Sequence, residues 1–540
     1  MADGSIRKPR GDYGRMAEQR FEQISPADFF YRNRDIAGFS NPSRSLYMSV
    51  RELVENSLDA CEVGRILPNI WIELTQVEED SEKDVRVYRL VVKDNGIGVE
   101  AEQVPKAFGT ILYGSKYGFK QSRGTFGVGG TMALLYGQIT TNNPFRIISS
   151  TGKKEIHEYR LMIDIVENKP KVLDHKVHPN KNGWHGTIVD YTLEADYTNS
   201  KSKIIEYLSK TAVINPHSNI VFLDPRGRLY VFGRVKETTP EPPREAKPHP
   251  LGVDVETINR LIANTRARDI VGFLTNEFQR VGRKTALEVL KLANIDPSTK
   301  VKQLTVDQVT ALVEAIKSYG KFRAPDTSSL SPVGVEFIEA GIRAVYNPDF
   351  LHVVQRPPAS YSGIPFIIEA AVAYGGNIPE SEDIHLLRFA NKIPLLYDER
   401  ADVSWKVISE RIDWNSYKVP KIKRLVVLTS ICSPKVPYKT VGKEAISDRP
   451  EIERELTIAI RECARELRLY LSRIERGEAV KKRLNVYAKY LPKIARFSAE
   501  LAEKPVPDLR PIFSKLGLSE AIIKEAAAEE EAEARELYGG

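Results

Sequence analysis

The chain has 540 residues, more than one hydrophobic core supports, so several domains are expected. Its 79 Lys and Arg against 72 Asp and Glu leave a net charge of +7, a basic excess that permits an anionic partner such as nucleic acid without demanding one. Three scattered cysteines, Cys61, Cys432 and Cys463, exclude a disulfide framework and a zinc cluster and point to a reducing compartment.

The first residues, MADGSIRKPRGDYGRMAEQRFEQ, are polar and charged, with no apolar stretch of signal-peptide type. Together with the lack of any segment long enough to span a membrane, they predict a cytoplasmic protein. Few cysteines and methionines among many charges also suit a thermophile. NPSRSLYMSVRELVENSLDACEVG, 41–64, reads as a helix. Pro42 suits its first turn and Gly64 its stop. Leu46, Val50, Leu53, Val54, Leu58 and Cys61 form its apolar stripe. IWIELTQV and VYRLVVKD alternate like neighbouring strands, and a glycine-rich region lies between Asp94 and Thr131. FRIISS, EIHEYRLMIDIV and HGTIVDYTLEAD read as further strands, KSKIIEYLSKTAVINP as a helix, and NIVFLDPRGRLYVFG as a hairpin.

TTPEPPREAKPHP, 238–250, is proline-rich and reads as a linker. VETINRLIANT, RDIVGFLTNEF, RKTALEVLKLANI and VDQVTALVEAIKSY then predict a small all-α module. From about Pro325 the chain is α/β again, with a long helix after IEREL. The remainder from about Ser472 is helical and charged, and it ends in the acidic EAAAEEEAEARELYGG. The expected fold class is α+β and multidomain. Its divisions are an N-terminal segment 1–28, a mixed α/β domain 29–237, the linker 238–250, a helical insert 251–322, an α/β domain 323–471 and a helical tail 472–540.

Three segments carry the chemistry. In RELVENSLDA, 51–60, spacings of three and four put Glu52, Asn56 and Asp59 on one helix face, with Glu55 at its edge. Taken alone that row is an ordinary solvated face. VVKDNGIGV sets Asp94 at the end of a strand, where its carboxylate can accept from an amino group, and follows it with glycines that let a flat ring approach the backbone. DNG by itself is only a favoured turn. GTFGVGGTMALLYG places Gly124, Gly127, Gly129 and Gly130 before a helix starting near Thr131, where backbone N–H groups bind phosphate well. GxxxxGK[ST] is missing, and the glycine run opens no βαβ unit, so neither a P-loop nor a dinucleotide site fits.

In this order, ELVEN, DNGIG, GTFGVGG and the strand-borne Gly186–Thr187 resemble the signature of the GHKL ATPases, which fold as a Bergerat sandwich of helices on a mixed sheet. The resemblance implies that Glu52 is the general base that activates water. It implies that Asn56 holds Mg²⁺ and that Asp94 reads the adenine amino group of ATP, with Gly98 near the base. Gly124, Thr125, Phe126, Gly127, Val128, Gly129, Gly130 and Thr131 become a lid over the phosphates, and Ser115 and Lys116 add contacts upstream. Thr187 supports the waters around Asp94, and Glu55 is left as structural.

A histidine kinase would need a phosphoacceptor histidine before this domain, and no histidine precedes it. The helical insert, with its basic turn RVGRKTALEVLKL, resembles a helix–two-turns–helix domain. LLRFANKIPLLYD, 386–398, and SPKVPYKTVGKEAI, 433–446, resemble the transducer domain of the ATPase subunits of type IIB topoisomerases. In such transducers a loop lysine reaches the γ-phosphate. Lys443, preceded by Gly442, is preferred over Lys439. No D-x-D occurs, so DNA cleavage is expected from a partner A subunit. The resemblance implies a double-stranded DNA substrate, dimerisation on ATP and an A2B2 heterotetramer, with the first 28 residues as a strap exchanged between protomers. The rivals are another GHKL clamp, of mismatch-repair or chaperone type, and a scaffold that binds nucleotide without hydrolysing it.

Overall fold

The structure, a computed structural model, describes residues 23–77, 85–114, 120–124, 128–440 and 442–515. The chain divides into two compact units. The first is Met1–Gly118, Ser122–Leu208 and Ser218–Gly233, and the second is Phe119–Gln121, Ser209–His217 and Arg234–Gly540. Among the described residues no helix is long and apolar enough to cross a membrane.

In chain order the first unit begins with α1 (Pro26–Arg32), α2 (Pro42–Gly64), β1 (Asn69–Gln76), β2 (Arg86–Lys93), α3 (Val104–Gly109) and α4 (Gly129–Thr141). It continues with β3 (Phe145–Thr151), β4 (Glu155–Asp164), β5 (Lys169–Pro179), β6 (His185–Ala195), α5 (Tyr197–Ile214, which groups with the second unit from Ser209 on), β7 (Asn219–Leu223) and β8 (Leu229–Phe232). The eight strands run β5-β4-β3-β6-β2-β1-β7-β8. All neighbours are antiparallel except β1 and β7, which are parallel. Helices α2 and α4 pack on each other and on β6, in the middle of the sheet, which is the expected helix-on-mixed-sheet sandwich.

Helix α2 starts where the sequence says it should. The Asn41 side chain accepts from the Arg44 N–H at 2.9 Å, and Pro42 occupies the first turn. Its stripe of Leu46, Val50, Leu53, Val54, Leu58 and Cys61 is buried throughout. Its stop differs from expectation. Gly64 lies inside the helix, and Arg65, left-handed at φ +53°, ends it. Gly64 is small for another reason: a Cβ there would come within 2.5 Å of Ile97.

In the second unit α6 (Val255–Asn264), α7 (Ile270–Glu277), α8 (Arg283–Leu292) and α9 (Val306–Tyr319) enclose one apolar cluster that includes Ile258, Phe273, Leu290 and Leu312. Each start has its own logic. Asp254 caps α6, Asp269 caps α7, and Thr305 with Gln308 forms a capping box on α9. Then follow α10 (Val335–Tyr346), β9 (Phe350–Gln355), β10 (Ala359–Tyr361), β11 (Ile364–Tyr374), β12 (His385–Ala390), β13 (Ile393–Pro394), α11 (Val403–Lys406), β14 (Leu425–Cys432) and α12 (Pro450–Leu501). The second sheet runs β10-β11-β14-β12-β13, with β9 also on β11. Strand β11 is buried along nearly its whole length, with α12 packed on it, which explains its continuous apolar run. The exception is Glu369, fully buried within β11. Its carboxylate accepts from the N–H groups of Val333 (3.0 Å) and Gly334 (2.6 Å) and from Ser430 Oγ (3.2 Å), so it caps the start of α10.

Candidate nucleotide-binding site

The site is assembled on α2. Its apolar stripe fixes the helix against the sheet, and that fixes the direction of the polar row. Along the row Glu52 is half-buried and Asn56 exposed, while Glu55 is turned inward. Glu55 accepts from Arg51 Nε at 2.7 Å, and both side chains are almost completely buried, an i,i+4 pair that serves the helix itself. That is the structural role expected of Glu55.

The start of α4 abuts the same row. A Cβ on Gly129 would stand 1.6 Å from Glu52 Oε2, and one on Gly130 would stand 2.8 Å from Asn56 Nδ2. Two glycines are therefore needed for a helix N-terminus to meet a carboxylate and a carboxamide at once. This brings the N–H groups of the first turn beside Glu52 and Asn56, the arrangement that receives a phosphate. Thr131 is buried, and its hydroxyl donates to the Val128 carbonyl at 2.9 Å, which closes that first turn. Val128 is buried as well.

One residue on, Ser57 links α2 to the second part of the site. Its hydroxyl donates to Asp94 Oδ2 at 3.1 Å. Asp94 directly follows β2, and its Oδ1 accepts from the N–H groups of Gly96 (2.8 Å) and Thr187 (3.2 Å). Thr187 sits on β6, and its Oγ1 lies 3.2 Å from Ser149 Oγ, which in turn accepts from the Val99 N–H at 2.9 Å. These bonds pin the carboxylate. Burial nonetheless pushes its pKa up to about 6, against the opposing pull of the Gly96 N–H, Ser57, the Thr187 N–H and the nearby His185. Cys61, close by, is buried, and its thiol is pushed up to about 12, so it stays protonated and inert.

The glycines of this turn are also required by protein packing. A Cβ on Gly96 would lie 2.6 Å from that of Ala60 on α2. One on Gly98, at φ +69°, would lie 2.0 Å from the Ser150 carbonyl oxygen. Gly186, at φ +133°, lies hard against the Asp94 carbonyl, so the GT pair lets β6 approach the end of β2.

Arg123 was not legible in the sequence. It is almost fully buried and pairs through Nη1 with Asp59 at 2.8 Å and with Glu62, both on α2. The polar row is thus divided: Glu52 and Asn56 face α4, while Asp59 holds the chain that leads into the glycine run. Gly124 belongs to that chain, and its carbonyl accepts from Ser122 Oγ at 2.8 Å. Ser115, Lys116, Thr125, Phe126 and Gly127 lie outside the described residues.

Lys439 and Lys443 belong to the second unit. Lys439 Nζ donates to the Ala401 carbonyl at 2.5 Å and lies 3.6 Å from Asp448. Lys443 is buried and adopts a left-handed backbone at φ +55°, so the strained residue of this loop is the lysine and not Gly442. The segment after it is held by Arg388 of β12. This buried guanidinium donates to the carbonyls of Glu444 (3.2 Å), Leu395 (3.1 Å) and Tyr397 (2.8 Å) and pairs with Asp402 at 3.3 Å. Asp402 accepts in turn from the Ile446 N–H at 2.8 Å. The two signature segments RFANKIPLLYD and VPYKTVGKEAI are therefore packed around one buried ion pair.

Two families match the chain. The family described as "Histidine kinase-, DNA gyrase B-, and HSP90-like ATPase" covers residues 41–156, from α2 through the start of α4 into β4. Fold and site together thus define a GHKL-class ATPase. The family described as "Topoisomerase VI B subunit, transducer" covers residues 325–483. The B subunit of type 2 DNA topoisomerase 6 from Saccharolobus islandicus is 45% identical over 484 residues, covering 89% of this chain and 90% of its own. Its counterparts from Saccharolobus shibatae and Saccharolobus solfataricus are 44% identical over the same shares. The chain belongs to the family of topoisomerase VI B subunits, the ATP-binding subunits of a type II DNA topoisomerase. Membership sets aside the mismatch-repair, chaperone and histidine-kinase alternatives. A solved N-terminal domain of a DNA repair protein aligns with 82% of this chain and 99% of its own at 10% identity, but a TM-score of 0.41 carries no argument.

Proposed function

We propose that this chain binds and hydrolyses ATP to drive a gate in a type IIB topoisomerase. On this reading a partner A subunit cuts one DNA duplex, and ATP-driven dimerisation of two copies of this chain captures a second and passes it through the break, so that supercoils are relaxed and DNA is decatenated. The working assembly is an A2B2 heterotetramer in the cytoplasm, with 1–28 as a strap and 29–237, 251–322 and 323–471 as ATPase, helix–two-turns–helix and transducer domains. The observation that carries the reading is the abutment of α4 on Glu52 and Asn56. Glu52 is placed to take the proton of an attacking water beside phosphates held by the α4 N-terminus. Asp94 accepts from the adenine amino group, and Thr187 steadies it.

Mg²⁺ fits this donor set. Among the described residues no cluster of three His, Cys, Asp or Glu could cage a metal ion. Mg²⁺ prefers few protein oxygens with phosphates and waters completing its shell, and Asn56 supplies one. Bound there it neutralises phosphate charge. The test is size: the purified chain should dimerise with the β,γ-imido analogue of ATP and Mg²⁺, and Asn56→Ala should not. A dimer independent of nucleotide contradicts the proposal.

The raised Asp94 pKa gives a pH prediction. An ionised carboxylate accepts from adenine and a protonated one does so poorly, so ATP affinity should fall as pH drops through about 6. Between pH 7 and pH 5 the loss should be about tenfold, the change in ionised fraction. For the fold the sign is opposite: this buried group lowers stability as pH rises from its ordinary 3.8 to about 6, and the loss is level above that. Asp94→Asn should bind weakly with no such slope, which separates the carboxyl from titration of the phosphates. Calorimetry across this range checks it. Equal slopes in both proteins would assign the dependence elsewhere.

A lysine of the transducer loop senses the γ-phosphate on this reading, and Lys443 is preferred to Lys439. A charge-assisted contact is worth about 1.5–3 kcal/mol, so Lys443→Ala should slow ATP turnover and strand passage together by ~10- to 100-fold. Lys439→Ala should change both much less. The reverse ranking would move the role to Lys439.

A further inference from the structure

Residues 94–99 form the turn that carries Asp94, and neighbouring elements tether it at several points. Asp94 is held by Ser57 and by the Thr187 N–H. Asn95 Nδ2 donates to the Leu67 carbonyl at 3.1 Å, and its Oδ1 accepts from the Asn69 N–H at 2.8 Å. The Val99 N–H donates to Ser149 Oγ. Between these anchors lies Gly96, which is buried and has no Cβ to limit its φ and ψ. Its N–H is taken by Asp94 Oδ1. The peptide that follows it is clamped from two sides. The Ile97 N–H donates to the Ala60 carbonyl on α2 at 3.4 Å, and the Gly96 carbonyl oxygen lies 2.8 Å from His185 Nδ1 on β6. A carbonyl oxygen can only accept, so in this contact the imidazole carries a proton on Nδ1.

His185 is itself held in place. It follows Trp184, whose N–H and carbonyl both pair with the Asn180 side chain, each at 2.8 Å. It stands opposite Thr151 of β3 and shares a face of the sheet with Thr187. We infer that His185 is a positioning residue for adenine recognition: its Nδ1–H fixes the Gly96 carbonyl, and with it the turn that presents the Asp94 carboxylate. A buried carbonyl that loses its donor costs free energy. A glycine released on one side of its Cα also regains freedom that must be lost again when the ligand binds. The inference rests on the function proposed above, in which Asp94 accepts from the adenine amino group. It gives His185 no contact with the phosphates and no part in proton transfer, so affinity and turnover should separate.

Two substitutions divide the donor from the ring. His185→Asn puts an amide N–H near the place of Nδ1 without the ring, and His185→Phe keeps the ring without the donor. With the full chain and the β,γ-imido analogue of ATP, affinity should fall about three- to tenfold in His185→Phe, the usual worth of one hydrogen bond, and hold in His185→Asn. ATP turnover at saturation in the A2B2 holoenzyme should stay within about twofold in both, because an interaction made equally in the ground and transition states moves KM and leaves kcat. The reverse ranking of the two affinities, or equal losses, would make His185 a packing residue and overturn the inference. So would wild-type affinity in His185→Phe. The wild type gives an arm that needs no variant: nitrogen NMR of the histidine-labelled chain should place a proton on His185 Nδ1, and a proton on Nε2 alone overturns the inference. Asp94→Asn measured alongside tests the reading beneath it. Wild-type affinity for the analogue in that variant would overturn the adenine assignment itself.

Discussion

Glu52→Gln should lower ATP turnover by ~10²–10⁴-fold while ATP still binds, because a positioned general base contributes about that much. The substitution suits this site. Glu52 is only half-buried, and its close neighbour at the start of α4 is Gly129, so a carboxamide of the same shape fits without a new clash. What it removes is the capacity to take a proton. On the proposed reading adenine is recognised by Asp94, which Ser57 and Thr187 hold in place, and the substitution touches none of them. The variant should therefore trap the ATP-bound dimer and stop at a single round of strand passage. Steady-state phosphate release and nucleotide titration separate the two effects. Turnover at the wild-type rate would remove Glu52 from the mechanism.

Arg388→Met should be the most destabilising single change in the second unit. Arg388 and Asp402 are both completely shielded from solvent, and losing one partner of such a pair costs about 3–5 kcal/mol because the other charge is left buried. The guanidinium also satisfies three carbonyls that a methionine cannot reach. Amides of β12 and β14 should exchange about two to four orders of magnitude faster, which is that free energy converted to an opening constant. Adding Asp402→Asn should recover part of the loss, since Asn removes the stranded charge and its one carbonyl oxygen still accepts from one of the two N–H groups, Ser404 or Ile446, that Asp402 serves. If Arg388→Met leaves exchange in β12 unchanged, the pair does not hold the two signature segments together.

The sequence was informative where periodicity and chemistry coincide. The α2 stripe, the polar row on its other face, Asp94 at a strand end and the glycine run were all readable, because each places a residue type where its physics demands it. Less was readable where the deciding contact is long-range. Arg123 has no spacing relation to Asp59, nor His185 to Gly96, so neither role could be inferred from a window. Strand β5 escaped notice because both its faces are exposed, which removes the alternation that marks a half-buried strand, and because Pro170 and Pro179 argue against a strand except at a sheet edge, where it lies. Helices α1 and α3 are too short to show a period. Gly96 and Gly98 have a second reason to be small, because α2 and β3 press on them, which only the tertiary structure reveals.

The central claim is that ATP bound at α2 drives passage of one duplex through another cut by a partner subunit. Relaxation of supercoiled plasmid tests it most directly, with this chain alone, with a purified A-type cleavage subunit, and with both, each with and without ATP and Mg²⁺. Relaxation should appear only when both chains and ATP are present, and Glu52→Gln should limit it to a single round. ATP-independent relaxation by this chain alone, or none when a cleavage subunit active with another ATPase partner is added, would contradict the account.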